Sequence, residues 1–354
     1  MRSRRRYGFA LFVVMATLLA VAAAGCGGGD EEAEPAAPAE PAPAEPPAEP
    51  APAETEAPAE TGAPPASGGP LSGAVEVDGS STVGPLVQAA AEMFQGENPD
   101  VNVTVGISGT GGGFERFCAG ETDISNASRP IHDDDEAPLC AENGVEYVEL
   151  QVAVDAITVV TNKENDFAAC LTVDQLHTMW APEAEGTVTN WNQVDPSFPD
   201  EELALSGPGT DSGTFDYFTD VINGEEGASR ADYNASEDDN VIVTAVEGAA
   251  GGLGYFGYTY YEENQDQLNA AEIDGGNGCV APSPETAQDG SYTPLSRPLF
   301  IYVKKESLAR PEVAAFAQYI LDNNAAITEA ALFIQPHEED LAAAKETLAG
   351  ATGG

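Results

Sequence analysis

Residues 207–218 read GPGTDSGTFDYF, and the reading of the chain starts there. Gly207, Pro208 and Gly209 make a turn. Asp211, Ser212, Gly213 and Thr214 follow. Phe215, Tyr217, Phe218, Val221 and Ile222 then mark the apolar face of a helix. Either Asp211 or Ser212 can cap that helix, because a side-chain oxygen there accepts from a free backbone N–H of the first turn. A helix start carries about four unpaired N–H donors and roughly half a positive charge. With the hydroxyls of Ser212 and Thr214 beside it, and Gly213 admitting close approach, the segment is a socket for an oxyanion.

Three more segments have the same make-up: GSSTVGPL at 79–86, SGTGGGFERF at 108–117 and SNASRPI at 125–131. Ordinary helix capping accounts for any one of them. Four together point to one small anion held from several sides. Each follows a short strand-like stretch. Ala74–Val77 and Val101–Val105 alternate with period two, and Asp123–Ser125 is a third. Strand, Ser- and Gly-rich turn and helix, repeated, predict an α/β chain with parallel strands. Ligands of such sheets sit outside the carboxyl ends of the strands, where all these turns would lie.

Further along, Tyr147–Val160 (YVELQVAVDAITVV) is nearly all apolar and reads as a central or crossing strand. Thr172–Trp180 reads as a helix capped by Thr172, and Asn240–Glu247 as one capped by Asn240. Gly251–Tyr261 reads as a buried aromatic strand. Its tyrosines, with Trp180 and Trp191, suit core packing better than a sugar-stacking surface. Pro311 opens a helix whose buried face is Val313, Phe316, Ala317, Ile320 and Leu321. A last helix covers Glu338–Leu348.

The 354-residue chain carries a net charge of −47, and four of its 13 basic residues (Arg2, Arg4, Arg5 and Arg6) crowd the first six positions. No basic stripe is left for nucleic acid. Repulsion disfavours docking on anionic lipid. An anion can still bind, because remote charge is screened beyond about 8–10 Å while local dipoles act at contact distance. The acid excess fits a saline habitat.

Residues 1–26 form a leader, with an arginine-rich start and an apolar core, Phe9–Ala24, too short for a membrane span of about 20 residues. The leader ends Ala23-Ala24-Gly25-Cys26, which resembles a lipobox with Ala23 in place of the usual Leu. Cys26 is then the lipidated residue. Its acyl chains would hold the membrane at about 0.8 kcal/mol per buried CH₂. Residues 27–70 repeat Pro, Ala and Glu. They contain nothing to bury, so they read as an extended tether. Of the five cysteines, Cys118, Cys140, Cys170 and Cys279 remain, and they allow three disulfide pairings. Sequence spacing favours Cys118–Cys140 with Cys170–Cys279. No CxxC occurs and His132, His177 and His337 are scattered, so no metal site is expected.

The ordered set GSSTVGPL, SGTGGGFERF, DISNASRPI, GPGTDSGTFDYF, GYFGYTYY and PLSRPLFIYV resembles the phosphate-binding lipoproteins of bacterial phosphate ABC importers, the PstS family, over roughly residues 75–335. The resemblance implies an α/β, two-lobed periplasmic-binding-protein (type II) fold. Each lobe would be a mainly parallel sheet flanked by helices, and crossing strands would join them. Lobe I would be 71–155 with 297–354, and lobe II 156–296. It implies a monomer outside the cytoplasm, on the membrane through its lipid, that binds inorganic phosphate and delivers it to integral-membrane permease subunits, with no catalysis and no cofactor. Carried over by position, the phosphate contacts would be Ser81, Thr82 and Val83 from the first turn and Ser108 and Thr110 from the second. Ser212, Gly213 and Thr214 would come from the fourth, while Ser128, Arg129 and Asp211 join the phosphate-binding candidates on this chain's own residues.

This chain departs from the best-known members twice. A carboxylate of the third turn is replaced by Arg129, and an arginine ahead of Ser-Gly-Thr is replaced by Pro208. A buried carboxylate accepts a proton from phosphate but only repels sulfate. Asp211 is the candidate for that role, with Asp78 behind it. Arg129 is expected to pair with phosphate in bidentate fashion, in competition with a salt bridge inside its own lobe. Three other functions compete with this one. A binder or sensor of sulfate, molybdate or arsenate fits the same turns. A serine hydrolase built on Asp211-Ser212-Gly213 lacks a histidine in any motif. An acidic cell-wall protein would bind nothing saturably.

Overall fold

One strand of 16 residues, Tyr147–Asn162, runs through the molecule and joins its two halves. The structure, a computed structural model, describes residues 70–353. The expected leader over 1–26, with Cys26, and all but the last residue of the expected tether over 27–70 lie outside the described residues. In chain order the strands are β1 (Gly73–Gly79), β2 (Val101–Val105), β3 (Ile124–Ala127), β4 (Tyr147–Asn162), β5 (Cys170–Thr172), β6 (Ala204–Gly207), β7 (Asn234–Ala235), β8 (Gly252–Gly257), β9 (Leu268–Ala270), β10 (Glu272–Asp274), β11 (Cys279–Val280) and β12 (Ser296–Lys304). The main sheet has the order β2-β1-β3-β12-β4-β8-β6-β7, with β9 also on β4, and a small sheet has the order β11-β10-β5.

The expected two-lobed α/β architecture follows from how β4 pairs. Its first part, Tyr147–Ala156, lies antiparallel to β12. From Ile157 to Thr161 it lies antiparallel to β8 instead. On the far side of β12 the strands β1, β2 and β3 run parallel, and on the far side of β8 so do β6 and β7. The parallel character is thus confined to the outer strands. The seam is antiparallel because β12 returns from the far end of the chain to lie between β3 and β4. β4 is buried from Val152 to Asn162, and a strand covered on both faces reads as a continuous apolar run.

Each half has its own core. One gathers Val75, Leu86, Phe94, Leu150, Ile301 and Phe316. The other gathers Ile157, Trp180, Trp191, Phe218, Tyr255 and Leu295. The helix Pro311–Asp322 buries Val313, Phe316, Ala317, Ile320 and Leu321 as its periodicity predicts. Thr172 caps Val173–Trp180 in a reciprocal capping box with Gln175. Asp238, not Asn240, caps the helix Asp239–Gly248 by accepting from the Asn240 N–H at 3.0 Å. Such a cap is worth about 1 kcal/mol.

The aromatic strand stops early. β8 ends at Gly257 and Tyr258–Asn264 is a helix. The reason is tertiary. Gly257 faces Ile157, and further along the same edge of β4 Ile334 exchanges both backbone hydrogen bonds with Val154, so the β8 ladder has no partner beyond it. Tyr255 and Phe256 are fully buried, in keeping with core packing. Cys118 is joined to Cys140 and Cys170 to Cys279, the pairing that spacing favoured. The first ties the helix Gly109–Cys118 to the helix Glu136–Glu142, and the second ties β5 to β11.

Candidate functional site

Three glycines bring the turns of the first half together. A Cβ on Gly79 would stand 2.2 Å from the Asn126 carbonyl, so only glycine lets β1 end against β3. A Cβ on Gly113 would stand 2.5 Å from Gly79 Cα, so the helix Gly109–Cys118 lies directly on that strand end. On Gly106 it would meet Asp78 Oδ1 at 2.9 Å. The turns after β1, β2 and β3 are thereby packed side by side. They line a cavity of about 440 Å³ whose opposite wall comes from the helix Gly213–Asn223, which follows β6.

Ser81, Thr82, Ser108, Thr110, Ser128 and Arg129 line this cavity. Thr110 Oγ1 and Ser128 Oγ share a hydrogen bond of 3.0 Å, and the Ser128 N–H donates to Thr110 Oγ1 at 3.2 Å, so the second and third turns are locked together. Gly109, Gly111 and Gly112 line it too. The Ser108 side chain caps no N–H of that helix. The first-turn amides of Gly109–Cys118 are therefore the backbone donors best placed for an anion.

Other expected residues stand elsewhere. Val83 is fully buried, and its N–H donates to Ser80 Oγ at 3.3 Å; the Thr82 N–H does the same at 3.2 Å. Ser80 thus occupies the amides that the first turn was expected to offer. Asp211 is exposed and does not line the cavity, because the helix starts one residue later. Ser212 is the cap, and its Oγ accepts from the Thr214 N–H at 3.2 Å. Asp211 is therefore not poised to accept a proton from a ligand in the cavity. Asp78 is buried and ion-paired to Arg116. Ser212, Gly213 and Thr214 do not line the cavity, although Gly213 lies close against Thr82.

Arg129 has the internal partner that competed for it. Its Nη1 and Nη2 donate to Glu136 Oε2 and Oε1, both at 2.8 Å. Burial pushes the Glu136 carboxyl up, but the hydrogen bonds from Arg129 and from the His132 N–H outweigh it and hold it below the usual range.

Five lining residues, Asp216, Tyr217, Asp220, Glu226 and Arg297, carry charge or aromatic surface that sequence reasoning did not assign to the site. Asp216 lies four residues after Ser212, on the face of the helix that looks back toward its start. Burial pushes its carboxyl up and the Glu226 charge adds to this, while Arg297 and the Ser81 hydroxyl pull the other way. Arg297 donates through Nε to Asp155 Oδ2 at 3.2 Å and through Nη2 to Thr82 Oγ1 at 2.9 Å. Its guanidinium carbon lies 3.7 Å from the centre of the Tyr217 ring. Burial pushes the Asp155 carboxyl up despite the charge of Arg297. Half of a signal existed: Asp155 is the one charged residue in the run Val152–Asn162, and a buried charge is found paired, but nothing in the chain points to Arg297 as its partner.

Residues 64–324 match a family model described as the PBP superfamily domain. A protein named SphX from Synechocystis sp. is 48% identical over 269 residues, which are 76% of this chain and 80% of that one. The phosphate-binding protein PstS of Staphylococcus saprophyticus is 40% identical over 270 residues, 76% of this chain and 82% of its own. The crystal structure of a possible phosphate binding protein from Planctomyces limnophilus superposes with a TM-score of 0.76 at 48% identity, over 79% of this chain and 99% of the other.

Proposed function

Because the chain belongs to the PBP superfamily, in the family of SphX and PstS, we propose that it binds inorganic phosphate in the cleft between its lobes and delivers it to the permease of an ABC importer. The observation that carries this reading is the convergence of Ser81, Thr82, Ser108, Thr110, Ser128 and Arg129 in one cavity that the Gly213 helix closes from the opposite side. Hydroxyls, helix-start amides and guanidinium are donors, and a tetrahedral oxyanion is an acceptor on all sides. The lobe division, 71–155 with 297–354 against 156–296, is supported by the two separate apolar cores. Cys26 and the Pro/Ala/Glu segment support a lipid-anchored monomer held off the outer face of the membrane.

Asp216 takes the part first considered for Asp211. At neutral pH phosphate carries a proton that can be donated to a carboxylate, and sulfate carries none. Sulfate beside Asp216 leaves two acceptors facing each other, at a cost of about 1–3 kcal/mol or more. Calorimetric titration of the purified chain with phosphate, arsenate, sulfate and molybdate tests the proposal. Saturable binding of phosphate well above sulfate is expected, and Asp216→Asn is expected to narrow the gap. Preference for sulfate or molybdate would move the chain to another oxyanion, and no saturable binding would refute the reading.

A further inference from the structure

We propose that Arg297, held between Asp155 and Tyr217, is the cation that grips the oxyanion and latches the two lobes around it. The inference rests on the phosphate reading above. It starts from the hydrogen-bond inventory of two arginines. A guanidinium has five N–H donors in a fixed fork. Arg129 spends both of its terminal nitrogens on Glu136, within one half of the molecule. Arg297 sets Nε and Nη2 against Asp155 Oδ2, both at 3.2 Å, and gives an Nη2 proton to Thr82, while the two N–H groups of Nη1 have no protein acceptor among the described residues. It lines the cavity with a side chain only 16% exposed, so these donors are largely shielded from bulk water.

Its three partners come from three parts of the fold. Asp155 faces Arg297 directly across the β4–β12 pair, two residues before β4 leaves β12 for β8. Thr82 belongs to the turn after β1, on one wall of the cleft. Tyr217 belongs to the helix that begins at Gly213, on the other wall, and its hydroxyl donates to the Pro294 carbonyl at 2.6 Å, which pins the ring beside Arg297. One guanidinium therefore touches both walls and the strand that joins them. Asp155 cancels its charge at long range. At contact distance the nearer group decides, and on the cavity side that group is the guanidinium. The other wall carries Asp216, Asp220 and Glu226, so an anion in this cleft needs a cation that is not already committed. Lobe opening would strip the ring face from Arg297, and an anion on its free donors would resist that opening.

Two variants of the full chain test this, each checked for fold by circular dichroism and melting temperature. Arg297→Lys keeps the charge but loses the fork and the flat stacking face, and phosphate affinity is expected to fall at least about 100-fold. Tyr217→Leu keeps Arg297 and removes the ring. Phosphate release in stopped flow is expected to quicken at least about tenfold, with association nearly unchanged, because the ring holds the closed state. X-ray scattering should show the wild type contracting with phosphate and the variants contracting less. A purely structural role would lower the melting temperatures and leave affinity and release unchanged in the folded variants; that result overturns the inference. If Arg297→Lys does not fold, release from Tyr217→Leu decides it. A wild type that binds no phosphate refutes the functional reading and the inference with it, whereas a binding wild type with equally good variants refutes the inference alone.

Discussion

Gly213 and Thr82 meet across the cleft: a Cβ built on Gly213 would stand 2.6 Å from Thr82 Oγ1, 3.1 Å from Thr82 Cα and 3.2 Å from its nitrogen. Two of those atoms are backbone, so they cannot swing aside. Gly213→Ala should therefore obstruct the closed state and leave an open one untouched. Overpacking of this kind costs about 1–3 kcal/mol, or roughly 5–150-fold in phosphate affinity. Calorimetry and a melting curve on the same sample check it. Unaltered affinity would mean that this contact is no part of the bound state.

Glu136 draws Arg129 away from the cavity that Arg129 lines. Glu136→Gln removes a negative charge near the bound anion and leaves Arg129 a neutral partner. Phosphate affinity should rise about three- to tenfold, by weakened repulsion alone. A loss of affinity instead would show that the pair's use is to hold Arg129 in position.

The second half contains an ion pair whose pH dependence has a definite sign. Arg230 is buried. It donates to the Met179 carbonyl at 3.0 Å, the Val188 carbonyl at 2.9 Å, and Asp232 Oδ1 and Oδ2 at 2.5 and 2.9 Å. The hydrogen bonds from Arg230 pull the Asp232 carboxyl down to about 2. A depressed carboxyl binds fewer protons folded than unfolded. Its stabilisation is fully present above about pH 4 and is lost as the pH falls through about 2. Since Asp232 is partly solvated, about 1 kcal/mol is expected. Asp232→Asn should cost that much in urea unfolding at pH 7, and the cost should shrink as the pH falls through about 2.

Charge repulsion sets the response to salt. Every arginine and lysine among the described residues is engaged by a carboxylate or a carbonyl. Arg116, Arg129, Arg230, Arg297, Lys305, Arg310 and Lys345 pair with acids, and Lys163 and Lys304 donate to backbone oxygens. The remaining acid of a chain with net charge −47 is uncompensated. Raising sodium chloride from low concentration to about 1 M shortens the screening length to about 3 Å, and the melting temperature should climb by roughly 5 °C or more. A flat or falling curve would contradict this account.

Local patterns carried much of this fold and part of its site. Alternation announced β1 and β2, the 3.6-residue period announced the helix Pro311–Asp322, and Ser-Thr-Gly turns after strands announced where a ligand would sit. Those are short-range facts, legible because each is set by neighbours along the chain. The end of β8 at Gly257 was not legible. It depends on Ile334, far later in the chain, taking the same edge of β4 at Val154. Nor was the choice between Asp211 and Ser212, since either oxygen could cap the helix and one residue of register decides which carboxylate turns toward the cavity.

By itself the sequence determined the α/β alternation, the strand that both halves share and the four Ser-, Thr- and Gly-rich turns, and its spacing favoured one of three cysteine pairings. All of these depend on residue type and spacing. Only the tertiary structure decided that Arg297, Asp155 and Tyr217 form one unit, that Arg129 leans on Glu136, and that Asp216 rather than Asp211 looks into the cleft. A charge is neutralised by whatever the fold brings within about 4 Å of it, and across the 142 residues between Asp155 and Arg297 the chain carries no local signal of that meeting.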